Sequence, residues 1–335
     1  MATFADEILT PAQNKSWDTV HENEHDDWAF PEKYGGIDDP TADQLDAFLT
    51  CVQDKATNAD QQDAVDFIGT TQIQDLPGSP GRTIAYQTAL RVVDPDSIWQ
   101  GPYGFCGPAA IVYDFAKHFP LQYAQCIISL QNNGVASMQH NAKAFNLRAD
   151  ASWNTTYRSA GLAKTKMGPA DFLILHAIRR AAEYNVHSFD VTKPGQDSDA
   201  TPPDKMVQFL EDSGYLHVTN KTFGYDQFQY RNQLYDLRGQ VTIGELARQI
   251  RMPEGPLVIM LVHHSLAEAA SGADVWKFFK NAEKLSDLHW ICVDSFDQSP
   301  DNYRMSFMSW GTRCTGTYTE LQFRSCFYGY ISAVP

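Results

Sequence analysis

Positive charge is scarce in this chain: 26 lysines and arginines stand against 41 aspartates and glutamates, leaving a formal net charge of −15. A surface of that sign repels phosphate backbones and anionic bilayers alike, so neither nucleic acid nor a membrane is an expected partner. Long apolar runs are missing as well. No stretch approaches the roughly 18 residues that span a bilayer. The opening Met1-Ala-Thr-Phe-Ala-Asp-Glu7 has neither the basic nor the apolar region of a secretory signal. Cysteine is sparse and scattered. Cys51, Cys106, Cys126, Cys292, Cys314 and Cys326 form no CxxC pair, which argues against a disulfide framework and for free thiols in a reducing compartment. The expected location is the cytoplasm of the producing cell, and any action outside it needs an export route without a signal peptide. Internal repeats and low-complexity tracts are absent too. What is present is ordinary globular material: 335 residues, 43% hydrophobic, enough for one large domain or two smaller ones.

Residues 1–80 are polar and acidic. His21, Glu22, Glu24 and His25 could in principle hold a metal, but near-adjacent residues seldom converge on one ion, and a solvated acidic face is the default. No metal or cofactor is expected. A helix is predicted over 41–54, from Leu45, Phe48, Leu49 and Val52, with Thr41 as its cap. The breaker cluster Leu76-Pro-Gly-Ser-Pro-Gly81 marks the expected boundary between an N-terminal segment (a cap or an export-docking element) and a catalytic domain over 81–335.

The nucleophile candidate is Cys106, in Gln100-Gly-Pro-Tyr-Gly-Phe-Cys106-Gly-Pro-Ala-Ala110. Ala109, Ile111, Val112, Phe115, Ala116 and Phe119 follow at helical spacing, and Pro108 suits a first turn. A thiol at a helix N-terminus sits among unpaired N–H groups that favour the thiolate, the nucleophilic form. The competing reading is a buried structural cysteine. Gln100 tips the balance, because an amide six residues upstream can fold back and, with the Cys106 N–H, hold an oxyanion.

Further along, Thr83–Val93 reads as β-like and 121–131 as a helix closed by Asn132-Asn133-Gly134. Helices are predicted over 169–184, 204–213 and 243–252, with a polar loop over 193–203. His176 falls in the apolar stripe of the first of these and reads as a core or boundary histidine. The continuous apolar run 257–262 suggests a buried strand. Residues 289–294 and 303–309 flank a turn-like Gln298–Asn302, and strands are expected over 317–323 and 328–334. Helices first and antiparallel strands afterwards make an α+β protein.

A thiol nucleophile needs a base from a distant part of the chain. His289, opening a strand behind Lys284-Leu-Ser-Asp-Leu288, is preferred over His263 and His264, which end the apolar run.

Gln100, Cys106 and Gly107 reproduce the Q-x5-C-G of papain-like cysteine peptidases, and His289 with the later Ser309-Trp310-Gly311 resembles that family's base and S-W-G. The resemblance implies a papain-like fold, a helical N-terminal half with the nucleophile at a helix start packed on a C-terminal antiparallel sheet. The family's orienting Asn aligns with Met308, which cannot accept an imidazole N–H. Ser309 would reach His289 if the register slips by one residue. Asp294 has better chemistry but should face the other side of the strand. A dyad without a third member stays open.

Cys106-Gly-Pro-Ala-Ala110, Leu121-x-Tyr-Ala-Gln125 and His289-Trp-Ile-x-Val293 resemble, more closely still, the papain-like effector domains of bacterial polymorphic toxin and type VI secretion systems, over roughly 95–335. That likeness implies a protein substrate in a target cell, a cognate immunity protein and a secretion-system carrier. Deamidation, transglutamination or acyl transfer by the same Cys–His pair, and an inactive binding protein on the same scaffold, are the alternatives.

Overall fold

The computed structural model describes residues 40–77, 79–100, 104–141, 143–159, 167–182, 201–222, 243–252, 255–270, 288–299, 302–309 and 311–335. The acidic cluster at 21–25, the loop 193–200 and Trp310 lie outside them. The described chain is α+β and divides into two compact units. One holds the described residues between Trp28 and Thr201 together with Glu211–Gly214; the other holds Pro202–Leu210 and Tyr215–Pro335.

The first unit is largely helical. Helix α1 (Ala42–Lys55) begins where the sequence places it. The Thr41 Oγ1 accepts from the Gln44 N–H while Gln44 Oε1 accepts from the Thr41 N–H, a capping box that satisfies two otherwise orphaned donors. Helix α2 (Ala59–Thr70), capped by Asn58, follows. Residues 81–93, expected to be β-like, form helix α3 (Gly81–Val93) instead. The β-branched content of this stretch misleads because packing overrides propensity. Almost every residue of α3 is buried, and its polar side chains find internal partners: Thr88 Oγ1 donates to the Ile84 carbonyl, and Gln87 Oε1 accepts from the Ala170 N–H.

A short 3₁₀ turn over Pro95–Ser97 leads to α4 (Cys106–His118) and α5 (Pro120–Asn133). The latter ends at Gly134 with φ 70°, the left-handed cap that only glycine adopts without strain. An antiparallel hairpin, β1 (Val135–His140) with β2 (Lys143–Arg148), then α6 (Trp153–Ser159) and α7 (Pro169–Ala182), complete the unit. Helices α1 and α2 pack on α3 and α5. The helices over 42–70, which the sequence assigns to a separate N-terminal segment, therefore belong to the same compact unit as α4.

Helix α8 (Pro203–Asp212) leads to the sheet, built from β3 (Leu216–Asn220), β4 (Leu257–His263), β5 (Leu288–Gln298), β6 (Asn302–Ser309), β7 (Thr312–Thr319) and β8 (Phe327–Val334). The strand order is β3-β8-β4-β5-β6-β7, every neighbour antiparallel. Helices α9 (Ile243–Ile250), α10 (His264–Ala270) and α11 (Glu320–Cys326) pack against it. Their Leu246, Leu266 and Phe323 join Met260, Ile291, Val293 and Phe307 in one core cluster. The strand expected over 317–323 is corrected: β7 stops at Thr319, where a second capping box, Thr319 with Gln322, turns the chain into α11.

Candidate active site

Helix α4 is buried from Cys106 to Ala116, a central helix covered all round. Cys106 is its first residue and is 5% exposed. No side chain caps the start: Phe105 stands at the N-cap, its carbonyl accepting from the Ala109 N–H at 2.7 Å. Pro108 carries no N–H, so of the first three residues of the helix only Cys106 and Gly107 carry one. The positive end of the helix is thereby presented at the sulfur itself. Phe105 packs edge-on against Phe172 of α7 at 6.1 Å, which fixes the helix start.

Gln100 is buried, and the segment entering it is held from the same unit. Arg91 of α3 and Asp171 of α7 form a buried two-pronged ion pair: Nε donates to Oδ1 at 3.1 Å and Nη2 to Oδ2 at 2.7 Å. The same Oδ2 accepts the Trp99 N–H at 3.3 Å. Sequence reasoning missed both partners, since nothing local marks an Arg and an Asp 80 residues apart as a pair.

In the second unit, His289 is the second residue of β5 and 4% exposed. Its Nε2 and the Ser309 Oγ are 2.7 Å apart. The strand register explains why Ser309 and not Met308 is the partner. Cys292 pairs with Met308, so Ser309 falls on the row of Ile291. Side chains alternate along a strand, and His289, Ile291 and Ser309 therefore share a face, whereas Met308 turns to the other with Cys292. The group beside His289 on this face is therefore the Ser309 hydroxyl.

Asp294 is not at the histidine. It stands at the bulge between Val293 and Ser295, five residues or about 16 Å of strand from His289, and its Oδ2 faces Arg313 Nη2 at 3.4 Å. His263 makes a contact of its own, with Nδ1 2.7 Å from the Ser265 Oγ and its ring stacked on His264 at 4.8 Å.

Burial pulls His289 down to about 3, with a smaller push from the nearby His264. The imidazole is therefore neutral at physiological pH and, so buried, a weak base. His176, expected to be structural, stacks on Phe172 at 5.1 Å, and burial lowers it to about 4. Burial pushes the Cys126 thiol up to about 12, leaving it inert.

The first unit thus carries a thiol at the front of a buried helix, and the second an imidazole beside a serine hydroxyl on an antiparallel sheet. Compared with known proteins, the chain matches no family model, no curated protein and no solved structure. No helix among the described residues is long and apolar enough to cross a membrane.

Proposed function

We propose that this protein is a papain-like cysteine hydrolase acting on proteins. Cys106 is the nucleophile, His289 the general base, Ser309 its orienter, and Gln100 with the Cys106 N–H the oxyanion donors. The observation that carries this assignment is the 2.7 Å contact between His289 Nε2 and Ser309 Oγ. In this reading Nε2 carries the proton and donates it to the hydroxyl, which leaves Nδ1 as the nitrogen that accepts.

The chemistry requires the thiol and the imidazole to meet. The Cys106 proton passes to His289 Nδ1 as sulfur attacks the amide carbonyl, and the oxyanion is held by Gln100 and the backbone N–H. The imidazolium returns its proton to the leaving amine, producing a thioester. Water, deprotonated by His289, then cleaves the thioester to acid and free thiol. The His289 imidazole is neutral at rest, and in this scheme its positive charge appears only during reaction. By its resemblance to papain-like effectors, the enzyme would act in a rival or host cell after secretion without a signal peptide, and a cognate immunity protein would occlude it. The same thioester also serves deamidation, transglutamination and acyl transfer.

The test is acylation by p-nitrophenyl acetate, followed by mass spectrometry of an exposed proteome. Cys106 should acylate at least about tenfold faster than Cys51, and C106A and H289A should abolish turnover with the fold intact. New peptide termini indicate proteolysis, and a one-dalton gain on glutamine indicates deamidation. Acylation of Cys106 no faster than Cys51 would overturn the assignment and favour a binding protein.

A further inference from the structure

We propose that the buried Arg91–Asp171 pair is a positioning device for the oxyanion-holding Gln100; this rests on the function proposed above. Three observations carry it. The pair is buried, with Asp171 0% and Arg91 3% exposed. Surface charge balance therefore gives it no role, and buried ion pairs are poor sources of stability. Its geometry is over-determined: Asp171 lies in the first turn of α7, two-pronged to Arg91 in the last turn of α3. The carboxylate then spends further acceptor capacity on one backbone group outside any helix, the Trp99 N–H, immediately before Gln100.

The rest of the segment is pinned as well. Ser97 Oγ donates to the Asp94 carbonyl at 2.6 Å, the Ile98 N–H donates to the Pro95 carbonyl, and Ile98 is fully buried. The stretch from α3 to Gln100 is thus held at Asp94, Ser97, Ile98 and Trp99. The tie at Trp99 lies one residue before the amide that must meet a developing charge to within a fraction of an ångström.

The pair is also incompletely satisfied. Arg91 Nη1 and the neighbouring Tyr123 hydroxyl have no hydrogen-bond partner among the described residues. A group kept for stability alone would be better replaced by apolar side chains. Arg91 and Asp171 cancel in charge, so removing both leaves the field at Cys106 almost unchanged while releasing Trp99.

The experiment compares two reactions of Cys106 in the full chain. Acylation by p-nitrophenyl acetate passes through an oxyanion; alkylation by iodoacetamide does not. R91M/D171L should lower the acylation rate constant by roughly 10- to 100-fold and leave alkylation within about twofold. Q100A should do the same, and the triple variant should be no slower than Q100A alone. If Q100A leaves acylation unchanged, the oxyanion role of Gln100 fails, and this proposal with it. If Q100A slows acylation and R91M/D171L does not, the positioning role alone is overturned. Should the double variant not fold, D171N replaces it: one amide oxygen shared between two donors should slow acylation by about tenfold. In the unaltered protein the Trp99 amide should exchange slowly with solvent; exchange at the free-peptide rate would also overturn the positioning role.

Discussion

Removing the Ser309 hydroxyl is the sharpest perturbation the site offers. In S309A the imidazole stays where it is, buried on its strand, but Nε2 loses the oxygen 2.7 Å away. A buried N–H left without an acceptor costs about 1–3 kcal/mol. The second unit should therefore melt several degrees lower, at about 2–4 °C per kcal/mol for a body of this size. The loss in chemistry should be larger than the loss in stability. Without the hydroxyl, the tautomer that keeps Nδ1 free of its proton loses this support, and p-nitrophenyl acetate turnover should fall by about 10- to 100-fold. S309T keeps the hydroxyl and should restore most of the rate. The direct readout is ¹⁵N NMR of the imidazole: a single protonated Nε2 in the native protein, a mixture of tautomers in S309A. Native-like turnover together with an unchanged tautomer in S309A would refute the orienting role and leave His289 as one of a dyad.

Stability should fall on acidification from pH 6.5 towards 4. His289 and His176 are held below their ordinary value of 6.5, at about 3 and about 4, so the unfolded chain binds more protons throughout that window. Each should cost its unit about 2 kcal/mol by pH 5. His118, raised chiefly by its hydrogen bond to Asp114, has the opposite sign: its contribution is complete below 6.5 and lost above its folded value. Melting curves of the native protein and H176F between pH 5 and 7 check this; an identical pH slope in both would refute the assignment to His176. Thiol labelling at pH 8 under native conditions should leave Cys126 unmodified, because burial holds it near 12; rapid modification before unfolding would contradict its placement.

Much of the fold was legible from local signals. The Thr41 cap, the left-handed Gly134 and the β5–β6 hairpin each follow from residues within a few positions of one another. The second capping box was equally local, yet the apolar residues around Phe323 suggested a strand and hid it. Helix α3 was not legible, because its helical state depends on being covered on every side by α1, α2, α5 and α7. At the site, Cys106 at a helix start and His289 near a strand start were both readable. Choosing Ser309 over Met308 was not, since it depends on the pairing of Cys292 with Met308 across a bulged hairpin. The Arg91–Asp171–Trp99 cluster was invisible for a similar reason: it spans two helices and a loop brought together only by packing.

The seven consecutive buried residues of β4 bear on how the chain is made. Both strands that flank it, β5 and β8, are translated afterwards. At about 5–20 residues per second, a ribosome leaves this greasy ribbon unpaired for several seconds. Pro256 on one side and His263-His264 on the other are the natural interruptions that discourage such ribbons from stacking between nascent chains. Messages cut short before β8 should accordingly yield clumped material that depends on chaperones, rather than a smaller folded protein.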